Sequence, residues 1–363
     1  MAHTEQISIL IVDDSRIFRQ VLQQVLEGIP GVRVVGSVFS GEKALEFIDQ
    51  TPPDLVTLDV LMPGLSGLQT LREISRKNGL RKSPAVDVLL VSALTQAGSG
   101  AAVEGLQLGA LDFISKPTEG SEDSNREQLR LALIAKLETF RQRRGRGGGS
   151  PIVTGRSVLS AERRLAPQRG RFRAIAIGTS TGGPEALGML LPQLARSVAE
   201  PIFIVQHILE GLTGYLADSL SRKCGRPVLE VNHSLPVARG IYLARSGQHL
   251  LVRRTDDGVR MVLADTPPEH GCRPSVNVFL RSAAAVYGSA LVTVILTGMG
   301  DDGADGVRAV ARAGGYVIAQ DERSSVVWGM PRAAADTGAV DEILPLSRIA
   351  DRLSCLVTAE SAT

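Results

Sequence analysis

The sequence predicts an α/β protein of two doubly wound domains, and three observations carry that expectation. Short β-rich runs alternate with amphipathic helical patterns over residues 1–140; a stretch rich in Gly, Arg and Pro, with little apolar periodicity, occupies 141–171; and a second alternation of strand and helix patterns fills 172–363. A chain of 363 residues also exceeds the usual single-domain range, and the length prior is about two domains.

In the first domain the β-rich runs are Ile7 to Val12, Val32 to Val38, Asp54 to Leu58, Val86 to Val91 and Asp112 to Ile114. Helical patterns separate them. Arg16 to Glu27 repeats apolar residues at Ile17, Val21, Leu22, Val25 and Leu26, and Gly41 to Gln50, Gly67 to Lys77, Gly98 to Leu108 and Asn125 to Arg143 complete the set. Such an alternation implies a parallel sheet whose ligand site lies at the carboxyl ends of the strands. Those ends carry Asp13 and Asp14, Asp59, Ser92, and Lys116 before Pro117. Three carboxylates and a lysine on one rim suit a hard divalent cation together with a phosphoryl group, because oxygen ligands hold Mg²⁺ and the ammonium pairs with the added anion.

The stretch 141–171 reads as a flexible basic hinge, since its composition buries too little apolar surface to fold alone. An arginine-rich nucleic-acid arm is the alternative, but no aromatic residues interleave the arginines and no helix-turn-helix pattern follows. A short helix is expected over 158–165. The whole chain, with 40 basic and 38 acidic residues, gives no electrostatic case for nucleic acid or an anionic membrane. Three widely spaced cysteines argue against a disulfide framework. The N-terminal residues lack a signal-peptide pattern and no apolar run approaches about 18 residues, so the expected location is cytoplasmic, without membrane insertion.

The second domain opens on A-I-A-I-G-T-S-T-G-G-P-E-A-L-G, Ala174 to Gly188. An apolar strand runs into a Gly-rich turn at Ser180 and then into a helix begun by Pro184, the order of a nucleophile elbow. Taken alone, the stretch divides between that reading, a phosphate-cradling loop and a plain turn. Further strand patterns are Pro201 to His207, Ala290 to Thr297 and Tyr316 to Ala319; helical ones are Pro184 to Arg196, Pro274 to Val286, Asp302 to Ala313 and Ser347 to Leu356. Between 240 and 263, G-I-Y-L-A, H-L-L-V and V-R-M-V-L suggest a β-hairpin insertion. The strand-end rule then gathers Ser180, His207 and an Asp of the Asp301–Asp302 pair on one rim: a nucleophile, a base and an orienter. A phosphate loop would need neither histidine nor acid, and no lysine follows Gly182. His233, His249 and His270 are read as loop residues without metal-ligand spacing, which argues against a zinc site.

At these residues two resemblances enter. I-L-I-V-D-D-S, L-D-V-L-M-P-G-L-S-G, V-S-A and S-K-P resemble a response-regulator receiver domain, which implies a flavodoxin-like (βα)5 fold. I-G-T-S-T-G-G-P-E-A-L, V-Q-H, R-P-S-V and L-T-G-M-G-D-D-G are similar to the catalytic domain of the chemotaxis protein-glutamate methylesterases, a mainly parallel, hydrolase-type, Rossmann-like fold. The first resemblance implies Asp59 as phosphoacceptor from a histidine kinase, Mg²⁺ held by Asp13, Asp14, Asp59 and the Leu61 carbonyl, and Ser92 and Lys116 as the residues that respond. The second implies Ser180 as nucleophile, His207 as general base and Asp302 as its orienter, with Thr181 and Met299 in the oxyanion set and no cofactor for the esterase. Arg273, before the helix begun by Pro274, is read from its position as a guanidinium that could hold a substrate carboxylate or equally cap a surface. Together they imply a phosphorylation-gated, monomeric methylesterase, also a glutamine deamidase, whose substrates are chemoreceptor cytoplasmic domains and whose receiver covers the hydrolase groove at rest. A DNA-binding regulator and a non-catalytic adaptor remain the alternatives. Cys272 and Asn277 stand where the family usually has His and Asp, and Ile208 where it often has Met; these departures are expected to flank the groove and affect substrate preference.

Overall fold

The computed structural model describes residues 6–80, 85–93, 95–144 and 170–357. The chain forms two compact units, Met1–Gln142 and Arg143–Thr363. Most of the expected hinge, and all of the short helix expected over 158–165, lie outside the described residues.

In the first unit β1 (Ile7–Val12), α1 (Arg16–Glu27), β2 (Val32–Val38), α2 (Gly41–Gln50), β3 (Leu55–Leu58), α3 (Gly67–Leu80), β4 (Asp87–Ser92), α4 (Gln96–Gln107), β5 (Asp112–Ser115) and α5 (Glu122–Arg144) alternate as the pattern requires. The strands form a parallel sheet in the order β2-β1-β3-β4-β5. Helices on both faces demand strands that are apolar throughout; Ile9, Leu10 and Ile11 are fully buried. Ser15, Ser40 and Thr95 cap α1, α2 and α4, each side chain accepting a backbone N–H of the first turn. Ile17, part of the apolar repeat of α1, is 76% exposed, because the core is met by Leu22, Val25 and Leu26 on the opposite face. The closing helix, expected to end at Arg143, runs one residue further to Arg144, arginine being a good helix former.

The second unit is built on a seven-stranded parallel sheet, in which β6 (Ala174–Thr179), β7 (Ile202–Gln206), β8 (Val228–Val231), β10 (Ile241–Ala244), β13 (Leu291–Ile295), β14 (Tyr316–Gln320) and β15 (Glu342–Leu344) are ordered β15-β14-β13-β6-β7-β10-β8. Helices α6 (Gly183–Ser197), α7 (Thr213–Cys224), α8 (Val276–Tyr287), α9 (Ala304–Arg312), α10 (Met330–Asp336) and α11 (Leu346–Val357) connect or follow them. Strand order reverses between β6 and β13, the topological switch point at which doubly wound sheets open a ligand crevice.

The expected hairpin insertion is present but smaller. β11 (His249–Thr255) and β12 (Gly258–Ala264) pair antiparallel, with β9 (Leu235–Pro236) as a short third strand. The G-I-Y-L-A segment, expected to belong to it, is instead β10, buried between β7 and β8. An all-apolar run of four residues suits an interior parallel strand better than a half-exposed hairpin. His249, expected in a loop, opens β11 and is fully buried, accepting the Ser275 N–H at Nδ1 and facing the Pro267 carbonyl at Nε2.

Phe203 on β7 lies at the centre of this core, its ring 5.7 Å from Tyr242, 5.5 Å from Phe279 and 6.2 Å from Tyr287. Truncating it removes the contacts that join the sheet to α8 and leaves a cavity. Phe203→Ala is expected to destabilise the second unit by about 3–5 kcal/mol, read as a lowered urea midpoint by circular dichroism of the full chain; a midpoint unchanged from wild type would refute this packing.

Candidate functional site

The register of the second sheet brings three strand ends together: Gly178 on β6 lies opposite Ile295 on β13, and Thr179 opposite Gln206 on β7. The residues that leave those ends are Ser180, His207 and, a few positions on, Asp302. The turn at Ser180 is clamped from β13. Thr297 accepts at its carbonyl from Thr179 Oγ1 (2.8 Å) and Ser180 N (3.1 Å), and its hydroxyl donates to the Thr181 carbonyl at 3.0 Å. Gln206 holds it from the other side, its Nε2 donating at 2.8 Å to the carbonyls of both Ser180 and His207. Gly182 takes φ +79° at the turn into α6, where a side chain would be strained. A Cβ at Gly298 would stand 2.8 Å from Ser180 Cβ, so the loop after β13 approaches the serine only because that position is bare.

Asp302 is 2% exposed and lies just before α9, at the N-terminus of α8. Its Oδ1 accepts from Ser275 Oγ (2.8 Å) and Asn277 N (2.9 Å); its Oδ2 accepts from Val276 N (2.7 Å) and His207 Nε2 (2.9 Å). Burial works to raise its pKa, but the His207 hydrogen bond and charge, with the Asn277 and Val276 amides, outweigh it and hold the carboxyl below its ordinary value. An ionised carboxylate is acceptor-only, so neutral His207 carries its proton on Nε2, and Nδ1 is the nitrogen that gains and loses one. For His207 burial disfavours the charged form, yet the bonds to Asp302 and then Cys272 push the pKa up to about 9. Nδ1 faces Cys272 Sγ at 3.7 Å. Among the described residues Ser180 Oγ has no hydrogen-bond partner: serine and histidine sit on adjoining strand ends without that bond formed.

Of the other expected site residues, Thr181 is buried beside Ser180 at the entry to α6, and Met299 follows Gly298 in the loop after β13. Arg273 is exposed, its guanidinium 3.5 Å from the Thr266 carbonyl. Asn277, expected beside the groove, is fully buried: its Oδ1 accepts from Gly303 N and Gly306 N, tying down the start of α9. Its side chain is thus turned in to the junction of α8 and α9, and not out to the groove it was expected to flank. Thr297, Gln206 and Ser275 were not singled out by sequence reasoning, although each lies inside a quoted motif; polar residues at the ends of apolar strands were the available signal.

In the first unit the strand-end carboxylates also converge. Lys116 Nζ lies 2.6 Å from both Asp13 Oδ2 and Asp59 Oδ2, and 4.6 Å from the centre of the Phe18 ring. Burial opposes the Lys116 charge, but its bonds to Asp13 and Asp59 outweigh this and raise its pKa. Asp13 is raised, chiefly by burial. Ser92 is 1% exposed and accepts the Lys116 N–H at its carbonyl; Leu61 N donates to Asp59 Oδ1 at 3.3 Å. Asp13, Asp14 and Asp59 bring carboxylate oxygens within 4.8 Å of one another, an oxygen-only donor set that fits a hard divalent cation such as Mg²⁺.

A family model described as CheB methylesterase matches residues 175–353, and one described as response regulator receiver domain matches residues 9–125. Over 95% of its length the chain is 40% identical to a protein-glutamate methylesterase/protein-glutamine glutaminase of Trichodesmium erythraeum, covering 97% of that protein. The chain belongs to the CheB methylesterase family. A second relative of the same description, from Symbiobacterium thermophilum, is 40% identical over 96% of both chains. The solved CheB methylesterase catalytic domain of Thermotoga maritima is 36% identical, covers 50% of this chain and 97% of its own, and has a TM-score of 0.49. Within this CheB chain a receiver unit therefore precedes a methylesterase unit, and both are parallel α/β folds.

Thr297→Val keeps the side-chain shape but leaves the Thr181 carbonyl and Val327 N–H without the hydroxyl that serves both. It should cost about 1–3 kcal/mol of stability; because the lost hydroxyl positions the serine turn and does not itself bind substrate, turnover should fall more than substrate affinity, as measured by denaturation and steady-state kinetics.

Proposed function

We propose that the second unit is a serine hydrolase that demethylates glutamyl methyl esters on chemoreceptor cytoplasmic domains, deamidates receptor glutamines, and is controlled by phosphorylation of Asp59 by a histidine kinase. The observation that carries this reading is the pair of buried Asp302 and part-buried His207, which leaves Nδ1 free of the carboxylate at the carboxyl ends of the strands from which Ser180 emerges. The names and near full-length coverage of the curated relatives support the substrate class.

In this reading Ser180 Oγ attacks the ester carbonyl carbon as its proton passes to His207 Nδ1. The tetrahedral oxygen is met by backbone N–H groups of the Thr181 and Met299 turns. His207 returns the proton to the departing methoxide, releasing methanol; water then attacks the acyl-serine, giving its proton to the same nitrogen, and a glutamate carboxylate leaves with Ser180 restored. With glutamine as substrate the leaving group is ammonia. Asp302 takes no proton: its four donors keep it ionised, and it orients the ring and stabilises the imidazolium. Arg273, exposed beside this loop, is assigned to the receptor side of the cleft.

On the first unit Asp13, Asp14, Asp59 and the Leu61 carbonyl would hold Mg²⁺, which when bound neutralises charge on the incoming phosphoryl group. Phosphorylation adds about −1.5 to −2 charge at a carboxylate that Lys116 already contacts, and Ser92 is the neighbouring hydroxyl that can turn to the new oxygens. The test is methanol release from methylated receptor membranes. Ser180→Ala should abolish it with the fold intact by circular dichroism, whereas retained turnover would remove Ser180 from the nucleophile role. Asp59→Asn should keep basal release and lose stimulation by a small phosphodonor; a full response in that variant would place the control elsewhere.

A further inference from the structure

We propose that Cys272 Sγ and His207 Nδ1 form a binding site for a soft divalent cation, zinc first, and that occupation of this site switches the hydrolase off. The two atoms stand 3.7 Å apart. Tetrahedral zinc, with bonds of about 2.3 Å to sulfur and about 2.0–2.1 Å to nitrogen, spans about 3.5 Å between such a pair. The site therefore closes with a shift of a few tenths of an ångström.

The surroundings favour the metal in three ways. Asp302 engages Nε2, which leaves Nδ1 as the ligand lone pair and reproduces the carboxylate–histidine–metal relay that orients the ring. Asp302 itself lies within 4.8 Å of both ligand side chains, but its oxygens are already occupied by four donors, so it acts behind the histidine rather than on the ion. Cys272 is held in place by a tight turn: Glu269 N and Cys272 N donate to each other's carbonyls at 3.2 and 2.9 Å, His270 and Gly271 between them take φ +52° and +73°, and Arg281 pairs with the Glu269 carboxylate. Cys272 and His207 are both partly exposed, so an ion and its remaining water ligands can reach them.

Ligand type separates this site from the carboxylate trio of the first unit. Oxygen-only donors suit Mg²⁺, whereas thiolate and imidazole select zinc. Coordination displaces the thiol proton and any proton on Nδ1 to solvent, with no change of oxidation state. It also occupies the lone pair that would accept the serine proton. That consequence rests on the proposed hydrolase reading; the binding does not.

Chelator-treated full-length protein is titrated with Co²⁺ and followed by its thiolate-to-cobalt charge-transfer absorption, which reports a cysteine ligand whatever happens at the carboxylate trio. The band should appear in wild type, persist in Ser180→Ala and in a Cys224→Ser/Cys355→Ser variant, vanish in Cys272→Ser, and be bleached by Zn²⁺ but not by excess Mg²⁺. In parallel, Zn²⁺ should inhibit methanol release by wild type, and Cys272→Ser should need about tenfold more or higher for the same inhibition. A missing band in wild type, or one that survives in Cys272→Ser, overturns the site; a band without inhibition of an active enzyme overturns the switch. Absence of methanol release without any metal would count against the hydrolase reading and leave the spectroscopic result standing.

Discussion

Two helix N-termini in the second unit cap each other, and the hydrolase end of the molecule depends on that exchange. Asp302, just before α9, accepts the first amides of α8; Asn277, in the first turn of α8, accepts Gly303 N and Gly306 N at the start of α9. A carboxylate 2% exposed would cost several kcal/mol if left unpaired, and here four donors and the positive end of a helix dipole receive it. One of the four, Ser275, serves both sides: its hydroxyl bonds Asp302 and also accepts the Val278 N–H of α8. The same geometry that satisfies the charge aims one carboxylate oxygen at His207, so packing and chemistry share one set of hydrogen bonds.

The two units solve the problem of buried charge differently. In the first, the carboxylates of Asp13 and Asp59 share a single ammonium from Lys116, an arrangement that leaves room for more positive charge, as the proposed cation and phosphoryl reading requires. In the second, Asp302 is already saturated and the open chemistry lies one residue outward, at His207 Nδ1, Ser180 and Cys272. One rim can take up more positive charge; the other holds an imidazole ring still.

Much of this was legible in the residues because apolar parallel strands and the polar residues that end them are local signals. Asp13, Asp14, Asp59, Ser92, Lys116, Ser180 and His207 could each be found among the polar residues that end a buried run or directly follow it. What escaped were features with weak local patterns. The narrow apolar face of α7, at Leu216, Ala217 and Leu220, gave little periodicity, β15 is only three residues long, and β10 looked like part of a hairpin because its neighbours β7 and β8 are supplied from elsewhere in the chain. Asn277 was misjudged for a related reason: position beside a motif says nothing about whether a side chain turns out to a groove or in to cap a helix.

By itself the sequence determined the class of fold, the division into two units, and which residue types end each strand, since periodicity and turn chemistry act over a few positions. Only the tertiary structure decided which nitrogen of His207 meets Asp302, that Thr297 and Gln206 clamp the serine turn, and that Cys272 stands 3.7 Å from His207. Cysteine and histidine 65 positions apart have no spacing that reads as a metal site. Their approach is made by the register of β6, β7 and β13 and by the turn at Glu269–Cys272, and hydrogen bonds between distant segments are not written in any local stretch of chain.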